Sequence, residues 1–348
     1  SNWDRACELY AYIKGGRVDY GAAHARRHGH ERLGRQFSGL LPDWGEPGDN
    51  TRVHLVGHSQ GGQTARVMTA LLARGDDAER QVSGDSVHPL FAGGSDLVHS
   101  VTTLATPHDG STLAFMLYDE AGFLLSWLLS LASFLGNHLE NPPQYDFKLD
   151  QWGLQRRPGE SDEAYHDRLA GSDVWKEQDI SIYDLSPTGA AVLNAAFPAV
   201  DSVYYFSWAT WDSVPEGPGR THVPAAGMNL GLVAPSLALG RYRREASIAG
   251  LHAFDDTWWP NDGVVNTRSM SGPKLGSRDH VSNSGDQAVT DAMAPGTWHY
   301  MGVLTGWDHL DIVGQQTHLD PRDFYLGVAE LLASLPARRR PGSTESEP

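Results

Sequence analysis

The chain has 348 residues, of which 40 % are hydrophobic and 20 % charged, a composition typical of globular proteins and not of disordered ones. Its 43 acidic and 27 basic residues leave a formal charge of −16, which argues against nucleic-acid binding and against electrostatic docking on anionic membranes. A single cysteine, Cys7, excludes an internal disulfide. This length allows one large α/β domain or two smaller ones with a substantial core.

The most informative local pattern is Gly-His-Ser-Gln-Gly at residues 57–61. Residues 51–56 alternate like a strand with one buried face, and residues 63–73 have apolar side chains at helical spacing. A Gly-x-Ser-x-Gly segment between a strand and a helix is typical of a nucleophile elbow, whose two glycines permit a sharp turn. We therefore predict that Ser59 is a nucleophile and that the main-chain N–H of Gln60 stabilises an oxyanion.

Three further segments follow along the chain. Residues 97–105 read as a strand, and the polar residues 106–110 after it suit the ligand-binding rim of an open α/β sheet. The apolar stretch 121–136 is too short to span a membrane and is either a core helix or a mobile lid. Residues 145–184 are polar and read as an insertion outside the sheet.

The remainder of the chain alternates between extended and helical patterns. Residues 203–208 read as a strand, and residues 261–266 as a turn that leads into an extended piece. Residues 321–335 predict an amphipathic helix, and residues 337–348 a disordered tail.

A nucleophilic serine needs a histidine to take its proton and a carboxylate to orient that histidine, in the chain order Ser, acid, His in α/β-hydrolases. His309 is the favoured base because it lies in a loop just before the last predicted helix. Its rivals are His280, His299 and His318. The residue pattern leaves the acid open among Asp212, Asp255, Asp256 and Asp262.

A second group of polar residues is His24, His28 and His30, with Asp4 upstream. Imidazoles and carboxylates suit a tetrahedral zinc ion. The spacing of His24 and His30 matches no helical pair, however, so the pattern alone favours a solvated loop.

Several longer runs resemble the true lipases of thermophilic bacilli and staphylococci, over nearly the whole chain. They are residues 3–8, 18–24, 28–30, 58–66, 105–110, 145–154 and 261–267. The resemblance implies an α/β-hydrolase fold, with a mostly parallel central sheet flanked by helices, a lid, and an insertion pinned by zinc. It places the family's catalytic triad on Ser59, Asp262 and His309, which decides the choice of acid.

The resemblance also implies metal sites. The structural zinc ligands fall on Asp4, His24, His30 and Asp179, which reverses the solvated-loop interpretation and leaves His28 a non-ligand. The calcium site would use Gly227, Asp311, Gln316 and Thr317, where the last two replace an Asp-Pro pair of the family. Because one carboxylate is lost, we expect weak calcium binding or none.

We expect one lipase domain over residues 1–336, with a lid at about 113–140, an insertion at about 145–184 and the tail at 337–348. Family members begin with a strand and a His-Gly loop that supplies a second oxyanion N–H, so we expect that strand, and any leader peptide, to be missing from this sequence.

The resemblance implies a secreted triacylglycerol lipase that works at an oil–water interface, with structural zinc. The alternatives are a short-chain esterase or phospholipase with the same triad, and an inactive, zinc-stabilised lipid-binding fragment. We expect no nucleic-acid partner and no transmembrane span.

Overall fold

A computed structural model describes residues 1–119, 151–154, 157–161, 164–165, 167–168, 171–218, 220–245, 253–284, 293–315, 317 and 319–337. The predicted apolar stretch 121–136 lies outside these residues, as do most of the predicted lid, part of the predicted insertion and residues 338–348 of the predicted tail.

The described helices and strands follow one another along the whole chain. The helices are α1 (Asn2–Lys14), α2 (Ala22–His28), α3 (Gln60–Arg74), α4 (Asp77–Ser83), α5 (Pro89–Ala92), α6 (Thr112–Asp119), α7 (Ser181–Asp184), α8 (Pro187–Ala196), α9 (Leu230–Leu239) and α10 (Arg322–Ala333). The strands are β1 (Gly16–Asp19), β2 (Leu33–Phe37), β3 (Val53–His58), β4 (Val98–Leu104), β5 (Tyr204–Trp211), β6 (Ser213–Glu216), β7 (Thr221–Pro224), β8 (Val281–Asn283) and β9 (Trp298–Thr305).

The centre of the fold is a five-stranded sheet in the order β3-β4-β5-β9-β8. All four strand pairs are parallel, and α3 forms the crossover between β3 and β4. Two small antiparallel pairs, β1 with β2 and β6 with β7, lie outside this sheet. The chain therefore has the mostly parallel α/β architecture that the sequence predicts.

Helices cover both faces of the sheet because the strands are apolar on both sides. On one face, Val101 and Tyr205 pack into a core shared with Val67 and Leu71 of α3. On the other face, Phe206 packs with α10. The sheet edge formed by β3 is more open, and Val56 is 46 % exposed.

The predicted elements mostly recur with shifted ends. The strand predicted at 51–56 continues to His58, and the helix predicted at 63–73 begins at Gln60. The strands predicted at 97–105 and 203–208 are β4 and β5, and the helix predicted at 321–335 is α10.

The turn predicted at residues 261–266 is confirmed, but the extended piece predicted after it is wrong. These residues form a loop closed by a bridge between Asn261 and Asn266, and a 3₁₀ helix, Thr267–Ser271, follows it. The asparagine side chains explain the loop, since the side-chain oxygen of Asn261 accepts the N–H of Gly263 at 2.9 Å.

The prediction that residues 106–110 form a ligand-binding rim is wrong for His108 and Asp109, which are both buried. His108 donates from Nε2 to the Thr103 hydroxyl at 2.9 Å. One carboxylate oxygen of Asp109 accepts the main-chain N–H groups of Lys274 and Leu275 at 2.7 and 2.8 Å. These two side chains therefore form hydrogen bonds within the fold.

Candidate active site and metal site

Ser59 occupies a strained turn between β3 and α3. Its φ of 54° and ψ of −131° lie outside the regions that non-glycine residues favour. Surrounding bonds hold the turn, since the Ser59 N–H donates to Leu104 O at 2.9 Å and the Thr106 hydroxyl donates to Ser59 O at 2.8 Å. This is the strand–turn–helix geometry of a nucleophile elbow.

The glycines around Ser59 have different structural roles. A Cβ on Gly57 would lie 2.5 Å from the carbonyl carbon of Gly61, so only glycine fits there. A Cβ on Gly61 would meet nothing within 4 Å, whereas one on Gly62 would lie 2.2 Å from the Thr106 hydroxyl oxygen. The prediction that the turn needs both Gly57 and Gly61 is right for Gly57 and wrong for Gly61.

Asp262 and His309 form a buried pair. Nδ1 of His309 lies 2.7 Å from Oδ2 of Asp262, and the His309 N–H donates to the Asp262 carbonyl at 2.9 Å. The same Oδ2 accepts the Thr210 hydroxyl at 2.6 Å, and Oδ1 accepts the N–H of Val265 at 2.8 Å. Every oxygen of this carboxylate is therefore satisfied.

Electrostatics favour the ionised form of Asp262. Burial raises the pKa of this carboxyl. The positive charge and hydrogen bond of His309, together with the bonds from Thr210 and Val265, lower its pKa by more, so the net shift is downward. A buried carboxylate that stays ionised can orient an imidazole and stabilise its protonated form.

A second buried group brings together residues that are distant in sequence, since His24 and Asp179 are 155 residues apart. One ligand atom from each of its members lies within 4.8 Å of the others, and the members are Asp4, His24, His30 and Asp179. Nε2 of His24 lies 3.1 Å from Asp179 Oδ2 and 3.3 Å from Asp4 Oδ1. The structure thus brings together all four predicted zinc ligands.

The hydrogen bonding of this group is incomplete, as expected for atoms that face a common cation. Within the described part of the chain, both Asp4 carboxylate oxygens and His30 Nε2 lack a hydrogen-bond partner, although His30 Nε2 is only 3.2 Å from Asp179 Oδ2. His30 Nδ1 lies 2.9 Å from Glu31 O and 3.1 Å from Gln151 Nε2, so two polar neighbours hold the ring with its Nε2 toward the carboxylates.

Charges within the group shift its titration strongly. Burial lowers the pKa of His24, but the neighbouring carboxylates of Asp179 and Asp4 outweigh this effect and raise the pKa to about 9. Burial raises the pKa of Asp179, but the neighbouring imidazoles of His24 and His30 outweigh this effect and bring its pKa well below the ordinary value. Two carboxylates and two imidazoles in a buried cage form a donor set that a divalent cation would satisfy.

Comparisons with known proteins identify the family of this chain. The family model "Lipase-like, C-terminal domain" matches residues 1–333. The chain is 36 % identical to "Lipase 2" of Staphylococcus aureus over 353 aligned residues, which cover 99 % of this chain and 48 % of that protein. The chain belongs to this lipase-like family.

Solved structures of lipases share its fold. Lipase 1 from Pelosinus fermentans is 43 % identical with a TM-score of 0.82, and the alignment covers 97 % of this chain and 86 % of that one. The lipase of Staphylococcus hyicus is 34 % identical with a TM-score of 0.74, covering 95 % and 82 %. The lipase-like chain spans about half the length of the curated relatives that it matches.

The residues that the sequence offered as alternatives to Asp262 and His309 lie in other environments. Both ring nitrogens of His299 have other neighbours, Ser284 and Ala294, and the Asp255 carboxylate bonds Thr257. His280 and Asp256 are exposed. Asp212 is buried, and its N–H donates to Asn261 O. His318 lies outside the described residues.

The predicted calcium ligands are only partly described. Asp311 is buried and its Oδ2 accepts the Asp308 N–H at 2.8 Å, while Asp308 Oδ2 accepts the N–H of Asn229, two residues after Gly227. The segments of Gly227 and Asp311 are therefore adjacent. Gln316 lies outside the described residues, so calcium binding stays a prediction, as does the role of Thr317.

One residue of the elbow was not singled out from the sequence. His58, the unspecified position of Gly-x-Ser-x-Gly, places its ring 4.6 Å from that of His309, centroid to centroid. The signal available in the sequence was a polar side chain at the end of an apolar strand.

No helix in the described ranges has the length and hydropathy that crossing a bilayer requires.

Proposed function

We propose that this chain hydrolyses carboxylic esters of long-chain acylglycerols, with Ser59 as the nucleophile, His309 as the base and Asp262 as the carboxylate that orients it. The observation that carries the proposal is the 2.7 Å bond between His309 and Asp262 beside the strained turn at Ser59. Membership in the lipase-like family supports it.

In the proposed reaction the Ser59 hydroxyl attacks the acyl carbonyl while Nε2 of His309 takes its proton. The C–O bond to the glycerol then breaks, and the alcohol leaves with that proton. Water, deprotonated by the same imidazole, then attacks the acyl-serine; the C–O bond to Ser59 breaks, the imidazole returns the proton to the serine oxygen, and the fatty acid is released. Asp262 remains ionised throughout, which its lowered pKa supports.

The oxyanion of the tetrahedral intermediate would accept the main-chain N–H of Gln60. This residue is the first of α3, and the first N–H groups of a helix have no partner within the helix. The N-terminal end of the helix dipole adds favourable charge at the same place.

The substrate class separates the main proposal from its nearest alternative. A triacylglycerol lipase is expected to prefer long-chain esters in emulsions and to gain activity above the solubility limit of its substrate. A short-chain esterase with the same triad would prefer soluble esters, and a phospholipase would prefer phospholipid vesicles. We further propose that the protein is secreted and acts at an oil–water interface.

The buried cage is proposed to hold a structural zinc ion through Asp4, His24, His30 and Asp179. Zinc takes four imidazole and carboxylate ligands in tetrahedral sites, and the unpartnered atoms of Asp4 and His30 fit this role. The bound ion would link α1, α2 and the segment before α7 and would not take part in ester chemistry. A catalytically inactive chain that binds zinc and lipid remains the alternative from another functional class.

A covalent-labelling experiment tests the catalytic proposal directly. The chain and its Ser59→Ala variant are incubated with a p-nitrophenyl alkylphosphonate, and intact mass is measured; Ser86→Ala, at an exposed serine, is the control. We expect one adduct on the parent and on Ser86→Ala, and none on Ser59→Ala. A folded parent that forms no adduct would contradict the hydrolase proposal and favour the inactive alternative.

A further inference from the structure

His58 makes a directed contact with the residue proposed as the base. Its Nε2 lies 2.9 Å from the main-chain oxygen of His309, and the two rings lie 4.6 Å apart at an angle of 46°. A carbonyl oxygen can only accept, so the Nε2 of His58 must carry the hydrogen. The contact therefore fixes both the tautomer and the orientation of the His58 ring.

This contact completes the support of His309. Two bonds already tie His309 to Asp262, one from its N–H to the Asp262 carbonyl and one from Nδ1 to the carboxylate. Both of those bonds fix the base relative to the loop that carries the acid. The bond from His58 is different, because His58 ends β3 and is covalently joined to Ser59. It connects the strand of the nucleophile with the loop of the base.

The charge state of His58 suits this position. Burial lowers the pKa of its imidazole, and the positive charge of the neighbouring His309 lowers the pKa further, whereas the bond to His309 O and the charge of Asp262 act in the opposite direction with smaller effect. The ring is therefore neutral at neutral pH. A neutral ring does not oppose the positive charge that His309 would gain when it accepts the serine proton.

We propose that His58 is a positioning residue for ester hydrolysis. By donating its Nε2 hydrogen to the main-chain oxygen of His309, it holds the loop that carries His309 in place relative to Ser59. This inference rests on the proposed function. A displacement of about 1 Å between reacting groups can lower turnover by about a hundredfold, so even a small release of the loop is measurable.

Two substitutions at His58 separate hydrogen bonding from packing. His58→Phe keeps an aromatic ring and removes the donor, whereas His58→Gln keeps an N–H donor near the position of Nε2 without the ring. The matched control is His54→Phe, four residues earlier on the same face of β3, where the ring contacts Ser100 and His99. Circular dichroism and thermal unfolding confirm that each variant is folded.

We expect His58→Phe to lower kcat on a soluble p-nitrophenyl ester by roughly tenfold to a hundredfold with KM nearly unchanged, since the lost bond positions the base and not the substrate. His58→Gln should recover most of kcat, and His54→Phe should match the parent. Equal kcat in the two phenylalanine variants, or equal losses in His58→Phe and His58→Gln, would overturn the proposal.

A second readout does not depend on turnover. The downfield proton resonance of the His309 Nδ1–H, bonded to Asp262, should be visible in the parent and in His54→Phe and should broaden through exchange in His58→Phe. An unchanged resonance in folded His58→Phe would contradict a positioning role. If the parent itself forms no phosphonate adduct, the hydrolase proposal fails, and this resonance still decides whether His58 holds the loop.

Discussion

Asp262 holds His309 at two points, through its carboxylate to the ring at 2.7 Å and through its carbonyl to the main-chain N–H at 2.9 Å. The side-chain bond sets which ring nitrogen carries the proton, and the main-chain bond sets where the ring lies. A substitution that keeps the shape of Asp262 but removes its charge therefore separates electrostatic orientation from placement of the loop.

We expect Asp262→Asn to lower kcat by about 10⁴-fold, the loss that the corresponding change produces in serine proteases, because an amide can favour the wrong imidazole tautomer. Turnover of a soluble ester is the measurement. The controls are Asp256→Asn, at an exposed rival of the triad acid, and Asp212→Asn, at a buried one. A large loss in Asp212→Asn with an active Asp262→Asn would assign the acid to Asp212.

The elbow glycines give a second test, on stability. Gly57→Ala and Gly62→Ala should each lower the free energy of unfolding by about 1–3 kcal/mol, since the new methyl group would overlap the Gly61 backbone or the Thr106 side chain. Gly61→Ala should raise it by about 0.5–1 kcal/mol, because this helical position has open space beside it.

Urea unfolding measures these three changes. A Gly61→Ala variant as unstable as Gly57→Ala would show that the second glycine of the pentapeptide is needed by the fold after all. A stable but inactive Gly61→Ala would instead indicate that the open space beside it is used by substrate.

The elbow was predictable because its signals are local. The elbow is one continuous stretch of strand, turn and helix, with Gly57 at a position where a Cβ would not fit. The alternating pattern of β3 and the helical spacing of apolar residues in α3 are both visible in the sequence. The ends moved by two to three residues because Ser59 itself begins the helix as its N-cap.

The metal cage and the base contact are not local. Asp179 is far from Asp4, His24 and His30 in sequence, and spacing along one segment cannot reveal a ligand from another; only family resemblance pointed to it. The burial of His108 and Asp109 likewise depends on Ser269, Lys274 and Leu275, which are distant in the chain. Polar residues after a strand could bind a ligand or the fold itself, and sequence does not separate the two.

Glu79 of α4 is expected to support the metal cage from outside it. This carboxylate is 1 % exposed and accepts the N–H groups of Ala23 and His24, at 3.1 and 2.7 Å, at the start of α2. The residue before α2, Gly21, offers no side-chain cap, and a Cβ there would lie 2.4 Å from Glu79 Oε1. Glu79 thus caps α2 from another helix and fixes the main chain of His24.

We expect Glu79→Ala to lower the free energy of unfolding by about 1–3 kcal/mol and Glu79→Gln by less, because the amide keeps one acceptor. Zinc affinity, measured by competition with a chromophoric chelator, should fall about 10–100-fold in Glu79→Ala. Asp77→Asn, on the exposed side of the same helix, is the control. Unchanged affinity in Glu79→Ala would show that His24 is held without this cap.

The ion pair between Asp19 and Arg32 predicts a pH dependence. Arg32 donates to both carboxylate oxygens, at 2.9 and 2.6 Å, and the Gly21 N–H donates at 2.9 Å. Burial raises the pKa of Asp19, but the bonds from Arg32 and Gly21 lower it below the ordinary value. A lowered folded-state pKa stabilises the fold above the unfolded-state pKa, and this stability is lost as pH falls through the folded-state value.

Asp19→Asn should therefore cost about 1 kcal/mol at pH 7, a modest amount because Arg32 is partly exposed, and the difference from the parent should shrink below about pH 4. Urea unfolding of both proteins at pH 7, 5 and 3 measures it, with Asp201→Asn, at an exposed aspartate, as control. A difference that stays constant with pH would mean that the pair contributes through shape and not through charge.

Metal removal tests whether the ion binds to the four-residue cage and not to the neighbouring His28. If zinc binds there, chelation should lower the free energy of unfolding by about 4 kcal/mol relative to protein with free zinc at a thousand times its dissociation constant. Trp3 stacks on His24 at 4.8 Å, so its fluorescence should change on removal. His30→Ala should abolish the zinc-dependent gain, whereas His28→Ala should keep it, because His28 lies 4.6 Å from His24 but outside the cage. Equal losses in both variants would show that the ion binds to a looser set of histidines than this cage.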